Sequence, residues 1–231
     1  MKTCRCCLGG ELLAVACSGI VSSGSECDST ARSYDLIAAG YARGNASLSG
    51  EVATFRDTFV ASVRAGGLVA DLGCGPGRDA LFFASAGLNA VGIDASSEMV
   101  RLAVTNGADA RVGDLREPEL ALGSVDGIWS NASLLHVPRG DVPRTLRAWH
   151  QALAPGGVLG LLTSTGADEG WEQVPYDPTK QAVPSGVRRW FVHHEKPGLL
   201  TLLVDAGFHV DAVSERVSHR VWLQVLASPA R

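Results

Sequence analysis

The sequence predicts an α/β fold of repeated strand–helix units, and three observations carry that reading. Apolar runs at 68–70, 90–93, 124–129 and 158–162 each end beside an acidic residue or a turn signal, as buried strands of a parallel sheet do. Between them lie segments of helical spacing that stop at glycine: 80–86 before Gly87, and 141–153 before Pro155-Gly156-Gly157. A further helix, 196–206, stops at Gly207, and two closing strands near 208–213 and 221–226 are spaced as a hairpin. A chain of 231 residues fits one domain with a sizeable core.

Composition narrows the function classes. The chain is 46% hydrophobic and 19% charged, the balance of a soluble globular protein. Its formal net charge of −4 and lack of any Lys/Arg run argue against nucleic acid as a partner. No apolar run is long enough to span a membrane. Cysteines Cys4, Cys6, Cys7, Cys17 and Cys27 crowd the first 27 residues, and Cys74 stands alone in the rest. A domain with one thiol cannot hold an internal disulfide, which suits a reducing compartment.

Residues 1–28 read as an N-terminal extension, poorly ordered, with Ser22-Ser23-Gly24-Ser25 as linker; the domain proper is 29–231. Lys2 and Arg5 before Leu12–Cys17 imitate a signal peptide, but Glu11 interrupts the approach. Cys4 and Cys7 have a CxxC spacing, yet no histidine accompanies them, so no metal is expected. From Ser29 to Ala42 a helix should place Tyr34, Ile37, Ala38 and Tyr41 on one face. A second helix, 48–64, ends at Gly66-Gly67 directly before the first strand.

The chemistry-bearing stretch is Asp71-Leu72-Gly73-Cys74-Gly75-Pro76-Gly77. A strand runs into a glycine turn and then a helix N-terminus, which presents free N–H groups to a polar ligand. A dinucleotide loop wants its third glycine at the sixth position from Gly73, and Arg78 stands there. Asp94 ends the second strand, one strand–helix–strand unit later, where a carboxylate can accept from a ribose diol; Met99 follows on the next helix. Asp114 and Leu115 follow a short third strand, 110–113, and Asp114 could equally cap a helix. Beyond the fourth strand come Asn131 and His136, on the carboxyl side where open α/β sheets form their ligand crevice.

The loop resembles the first motif of the class I S-adenosylmethionine (SAM) methyltransferases. Gly92-Ile93-Asp94-Ala95-Ser96-Ser97-Glu98-Met99-Val100 resembles their second motif, and Leu153-Ala154-Pro155-Gly156-Gly157-Val158-Leu159 is another mark of the family. The resemblance covers roughly residues 30–228. It implies a Rossmann-like, doubly wound, seven-stranded sheet, mostly parallel with the last strand antiparallel. It implies SAM as cofactor, with Tyr34, Tyr41, Asp71, Gly73, Cys74, Gly75, Gly77, Asp94, Ala95, Met99, Asp114, Leu115 and Asn131 around it. Tyr34 and Tyr41 would lie on a lid helix, and Asp114 would meet the adenine amino group. An enzyme using this cofactor is expected in the cytoplasm.

Substrate motifs of several subfamilies are missing. No Asn/Asp-Pro-Pro-aromatic run follows the fourth strand; no glutamate pair for a guanidinium lies between Gly127 and Asp168; and Asn131, Thr163 and Ser164 supply no metal-binding carboxylates. The remaining resemblance is to small-molecule methyltransferases of tellurite-resistance-like and ubiquinone-biosynthesis-like type, acting on an O or N atom, as monomer or homodimer. An RNA or protein methyltransferase and a non-catalytic SAM-binding protein stand as alternatives. Residues 165–192 read as irregular, and Trp171, Tyr176, Trp190, Phe191 and His193 there are expected to shape the acceptor pocket. Two roles stand for His136: a general base near neutrality, or a structural histidine fixing the turn after Leu134-Leu135.

Overall fold

The computed structural model describes residues 24–48, 50–173 and 186–230. Helices α1 (Gly24–Gly44) and α2 (Gly50–Ser62) precede the sheet. Then come β1 (Leu68–Leu72), α3 (Arg78–Ser85), β2 (Asn89–Asp94), α4 (Ser97–Thr105) and β3 (Ala110–Val112). After β4 (Val125–Asn131) and a short 3₁₀ turn (Leu134–His136) follow α5 (Val142–Ala152) and β5 (Leu153–Ser164). The chain closes with β6 (Glu169–Gln173), β7 (Arg188–Val192), α6 (Lys196–Asp205), β8 (Phe208–Val217) and β9 (Val221–Pro229).

Seven strands form one sheet in the order β3-β2-β1-β4-β5-β9-β8. Strands β1 to β5 pair in parallel, and β9 runs antiparallel to both β5 and β8. This is the doubly wound sheet with an antiparallel last strand that the sequence led us to expect. The strand order reverses between β1 and β4, which opens a crevice beyond their carboxyl ends.

Alternating residues feed two cores, one on each face. Ile128 joins Leu146, Trp149, Leu199, Leu203 and Phe208 under α5 and α6. Its neighbour Trp129 points the other way, to Phe59, Val63 and Phe83 under α2 and α3. There Phe59 lies 5.0 Å from Trp129 and 5.5 Å from Phe83, ring centre to ring centre. Polar anchoring accompanies this aromatic packing. Asp79 is buried, and its carboxylate accepts from Arg56 (3.2 Å), Arg78 (3.1 and 2.8 Å), the Trp129 indole (3.1 Å) and the Asn131 amide (3.0 Å). These partners outweigh the cost of burial and hold its carboxyl below the ordinary range.

Three boundaries differ from the sequence reading. Helix α1 opens at Gly24, not Ser29, so residues 24–28 of the expected extension are helical. The reason is periodicity: Thr30, Ser33, Ile37 and Ala38 are buried on the stripe that bears Tyr34 and Tyr41, and Cys27 continues it one turn earlier. Residues 1–23, with Cys4 and Cys7, lie outside the described residues, as do Tyr176 and the rest of 174–185. Strand β5 opens at Leu153 instead of Val158, because Leu153 pairs with Val125 across a register shift. The segment read as irregular contains a two-stranded antiparallel sheet, β6 with β7, in which Trp171 faces Trp190.

Replacing Asp79 by Ala would leave Arg56 and Arg78, both half-buried, without their shared partner. Urea unfolding should then show a loss of about 3–5 kcal/mol. A loss below about 1 kcal/mol would place the pairings with ordinary surface ion pairs.

Candidate active site

A cavity of about 300 Å³ occupies the crevice at the carboxyl ends of β1, β2 and β4, within the size of small-molecule sites. Its floor is the loop after β1. Gly73 has φ +77°, and a Cβ there would come within 2.3 Å of the Ser133 Cβ, so only glycine fits. Gly75, at φ +52°, lines the cavity; a Cβ there would meet only the Tyr41 ring at 3.9 Å, and its absence leaves that space to a ligand.

Asp94 stands at the end of β2 beside this loop. One carboxylate oxygen accepts the Gly75 N–H (2.8 Å) and the other the Ser96 N–H (2.9 Å). Each oxygen keeps a lone pair, the arrangement that a vicinal diol requires. Burial holds the carboxyl above its ordinary range in spite of these two donors. Ala95, Met99 and Leu115 line the adjoining part of the cavity, where an apolar planar group would fit. Asn131 lines it at the end of β4, with its NH₂ held by Asp79. Ala132, also in the wall, has φ +59°, a rare conformation for a residue with a side chain.

Helix α1 covers the crevice through Tyr34 and Tyr41, whose rings meet edge-on at 5.3 Å. Asp35 ties the helix down: its carboxylate accepts from the Ser96 hydroxyl (2.6 Å) and the Glu98 N–H (3.0 Å). Thr30 accepts the Trp190 N–H (2.9 Å) and Ser33 donates to the Arg188 carbonyl (2.6 Å), fixing α1 to β7. Tyr34 completes the seam. Its hydroxyl lies 2.9 Å from His136 Nε2 and accepts from Arg189 Nη1 at 2.9 Å.

His136 lines the cavity with both ring nitrogens engaged. Nδ1 lies 2.6 Å from the Trp190 carbonyl, which can only accept, so Nδ1 carries the proton and Nε2 accepts from Tyr34. Burial pushes the imidazole down to about 3. The geometry favours the structural role for His136 over that of a free base.

Several other expected residues stand away from the cavity wall. Asp71 is buried behind the loop, its carboxyl held well above the usual range by burial and by Asp79. Cys74 turns its thiol toward Gly92. Gly77 caps the start of α3, packed on Ala103 and Ala108. Asp114 does reach the cavity, but the Arg116 side chain and backbone N–H fill its carboxylate at 2.6–3.0 Å. An adenine amino group would therefore meet a carboxylate already occupied. Of the expected acceptor residues, Trp171 pairs with Trp190 at 5.4 Å, and Phe191 lies behind His136 at 4.8 Å. His193 is bonded to Ser164 and Glu172, both at 2.7 Å. These four form a layer behind the cavity wall and do not line it. The sequence reading missed Cys27, Thr30 and Ala31, which do line it. They fall seven, four and three residues before Tyr34, so the helical period could have found them. Among the described residues no cluster of His, Cys, Asp or Glu could hold a metal ion, and no helix is long and apolar enough to cross a membrane.

A doubly wound sheet with a glycine turn after β1, a carboxylate closing β2 and a cavity at the switch point is an arrangement suited to holding a nucleoside. Residues 69–157 match the family model of the methyltransferase domain. A trans-aconitate 2-methyltransferase from Mycolicibacterium gilvum is 32% identical over 66% of this chain and 62% of its own length. One from Mycobacterium tuberculosis is 41% identical over 40% of this chain and 35% of its own. The chain thus spans less than two thirds of either relative. The structure of an S-adenosylmethionine-dependent methyltransferase from Mesorhizobium loti superposes with a TM-score of 0.62, covering 78% of this chain and 97% of that one at 24% identity. Over residues 69–157 the chain is similar to the methyltransferase domain family, and it shares the fold of that solved S-adenosylmethionine-dependent methyltransferase.

Two measurements test this site. Asp94→Ala should weaken binding of S-adenosylhomocysteine (SAH) in calorimetry by about 1.5–3 kcal/mol, roughly ten- to a hundredfold. Unchanged affinity would remove the ribose assignment. The second is a pH series. His136 titrates lower in the folded chain than its ordinary 6.5, so the unfolded chain takes up its proton first as pH falls. Stability from this group is therefore complete above pH 6.5 and is lost toward pH 3. Asp71 tilts the other way in both proteins, so the difference is what counts. The melting-temperature gap between wild type and His136→Gln should shrink from pH 7.5 to pH 5; a constant gap would show that the ring is not held neutral.

Proposed function

We propose that this chain transfers the methyl group of SAM to an oxygen or nitrogen atom of a small-molecule acceptor. The observation that carries the reading is Asp94 beside Gly75 at the switch point, with two lone pairs left toward a cavity under helix α1. The bound cofactor supplies a methyl group already activated by its sulfonium centre, so the chain's work is to hold, align and exclude water. Asp94 would hold the ribose, Met99 and Leu115 the faces of the adenine, and Gly73 and Gly75 the backbone approach. Asn131 would offer its amide oxygen to the cofactor's ammonium, since Asp79 occupies its NH₂. Tyr34 and Tyr41 would close the site from above. The net charge of −4 supports a small molecule over RNA as acceptor.

The test supplies the purified chain with methyl-labelled SAM and a metabolite extract, then RNA and protein fractions separately. Label should appear in the small-molecule fraction. Transfer confined to RNA or protein would overturn the acceptor class. Binding of SAH with no transfer to any fraction would make the chain a cofactor-binding protein.

A further inference from the structure

The carboxylate of Asp35 ties helix α1 to the first turn of α4. Its Oδ1 accepts from the Ser96 hydroxyl at 2.6 Å and from the Glu98 N–H at 3.0 Å. Helix α4 does not need this contact for its own start, because Ser96 already caps it by accepting the Met99 N–H at 3.2 Å. The contact therefore serves α1, and the negative charge at the N-terminus of α4 strengthens it. What it holds in place is the cavity wall. Tyr34 precedes Asp35, Tyr41 follows within two turns, and both tyrosines line the cavity.

A second observation concerns Ser96 itself, which is fully buried. Its backbone N–H donates to Asp94 at 2.9 Å while its hydroxyl donates to Asp35. One residue thus stands between two carboxylates. Burial raises the Asp94 carboxyl, and the Asp35 charge adds to that rise, so the two groups feel each other across the serine. A diol donating two hydrogen bonds to Asp94 would draw on its charge and ease the repulsion. A filled ribose site and a seated Asp35 then favour one another. If Asp35 leaves, the turn that presents the Ser96 N–H to Asp94 loses its outer support.

Resting on the methyltransferase reading, we propose that Asp35 is a positioning residue that couples capture of the ribose diol at Asp94 to closure of α1. The link runs from Asp94 through Ser96 to Asp35, and along α1 to Tyr34 and Tyr41. The opposite edge of α1 stays bonded to β7 through Thr30 and Ser33, so loss of the Asp35 contact frees one edge of the helix while the other remains fixed. Coupling of this kind is reciprocal: whatever the diol adds to closure, closure returns to affinity for the diol. A nucleoside without the diol can enter the same cavity but leaves α1 as it is in the empty chain.

The test compares SAH with its 2′,3′-dideoxy analogue on the full chain. In calorimetry, Asp35→Ala should weaken SAH roughly tenfold and the analogue by about twofold at most. Asp35→Asn keeps an acceptor oxygen for Ser96 and Glu98 and should recover most of the loss. Hydrogen exchange reads the helix directly and needs no variant. In the wild type, saturating SAH should slow exchange of the amides of residues 30–41 on α1, and the saturating analogue should not. An equal effect of Asp35→Ala on both ligands, whether large or none, would overturn the coupling, because a merely structural tie does not distinguish them. Equal protection of α1 by both ligands would overturn it as well. Either result leaves the methyltransferase reading standing, since SAH still binds. Failure of the wild-type chain to bind SAH would remove both.

Discussion

The Asp79 carboxylate is the contact on which the site depends. It draws Arg56 from α2, Arg78 from the first turn of α3, and Trp129 and Asn131 from β4 onto one buried group. Aromatic packing of Phe59, Phe83 and Trp129 keeps water away from it, which strengthens every charge-assisted bond there. Beside it Asp71 takes the opposite state, its carboxyl raised by burial and by Asp79. The two neighbouring buried carboxyls are thus pushed apart, Asp79 downward as the charged one and Asp71 upward. The charged one positions α3 behind the glycine turn and fixes the amide of Asn131 at the cavity wall.

From that base the crevice is closed by a second set of polar contacts. Ser96 is the hinge of this set. Its N–H holds Asp94, its hydroxyl caps α4 by accepting the Met99 N–H (3.2 Å), and the same hydroxyl donates to Asp35 on α1. The covering helix and the diol-accepting carboxylate are therefore linked through one side chain. On the far side, Thr30, Ser33 and Tyr34 bind α1 to β7, so the cover is tied to the turn before α4 on one side and to the small β6–β7 sheet on the other.

How much of this was legible follows from where each constraint resides. The loop after β1 and Asp94 could be read because topology places strand ends at the crevice, and the glycines mark the turn. The true start of α1 was hidden by its polar opening, Gly24-Ser25-Glu26, which looks like linker. Strands β6 and β7 were hidden because Gly170 and the charged Glu169, Glu172, Arg188 and Arg189 break any apolar alternation. The occupation of Asp114 by Arg116, two residues on, is a local rotamer choice that no periodicity records. Arg189 and Arg220, 31 positions apart in the chain, both come to lie over the Phe191 ring, which no sequence spacing records.

The position of β9 bears on how such a chain folds. Strand β8 touches the sheet only through β9, and β9 sits between β8 and β5. A nascent chain that has reached Val217 holds a five-stranded parallel sheet whose β5 edge is bare and a strand that has nowhere to dock. Residues 221–229 then supply both ladders at once, so a strand later in the chain than β8 fills the place between β5 and β8. Until it arrives, Leu159, Leu161 and Thr163 present an open, apolar strand edge, the kind of surface that pairs with other chains.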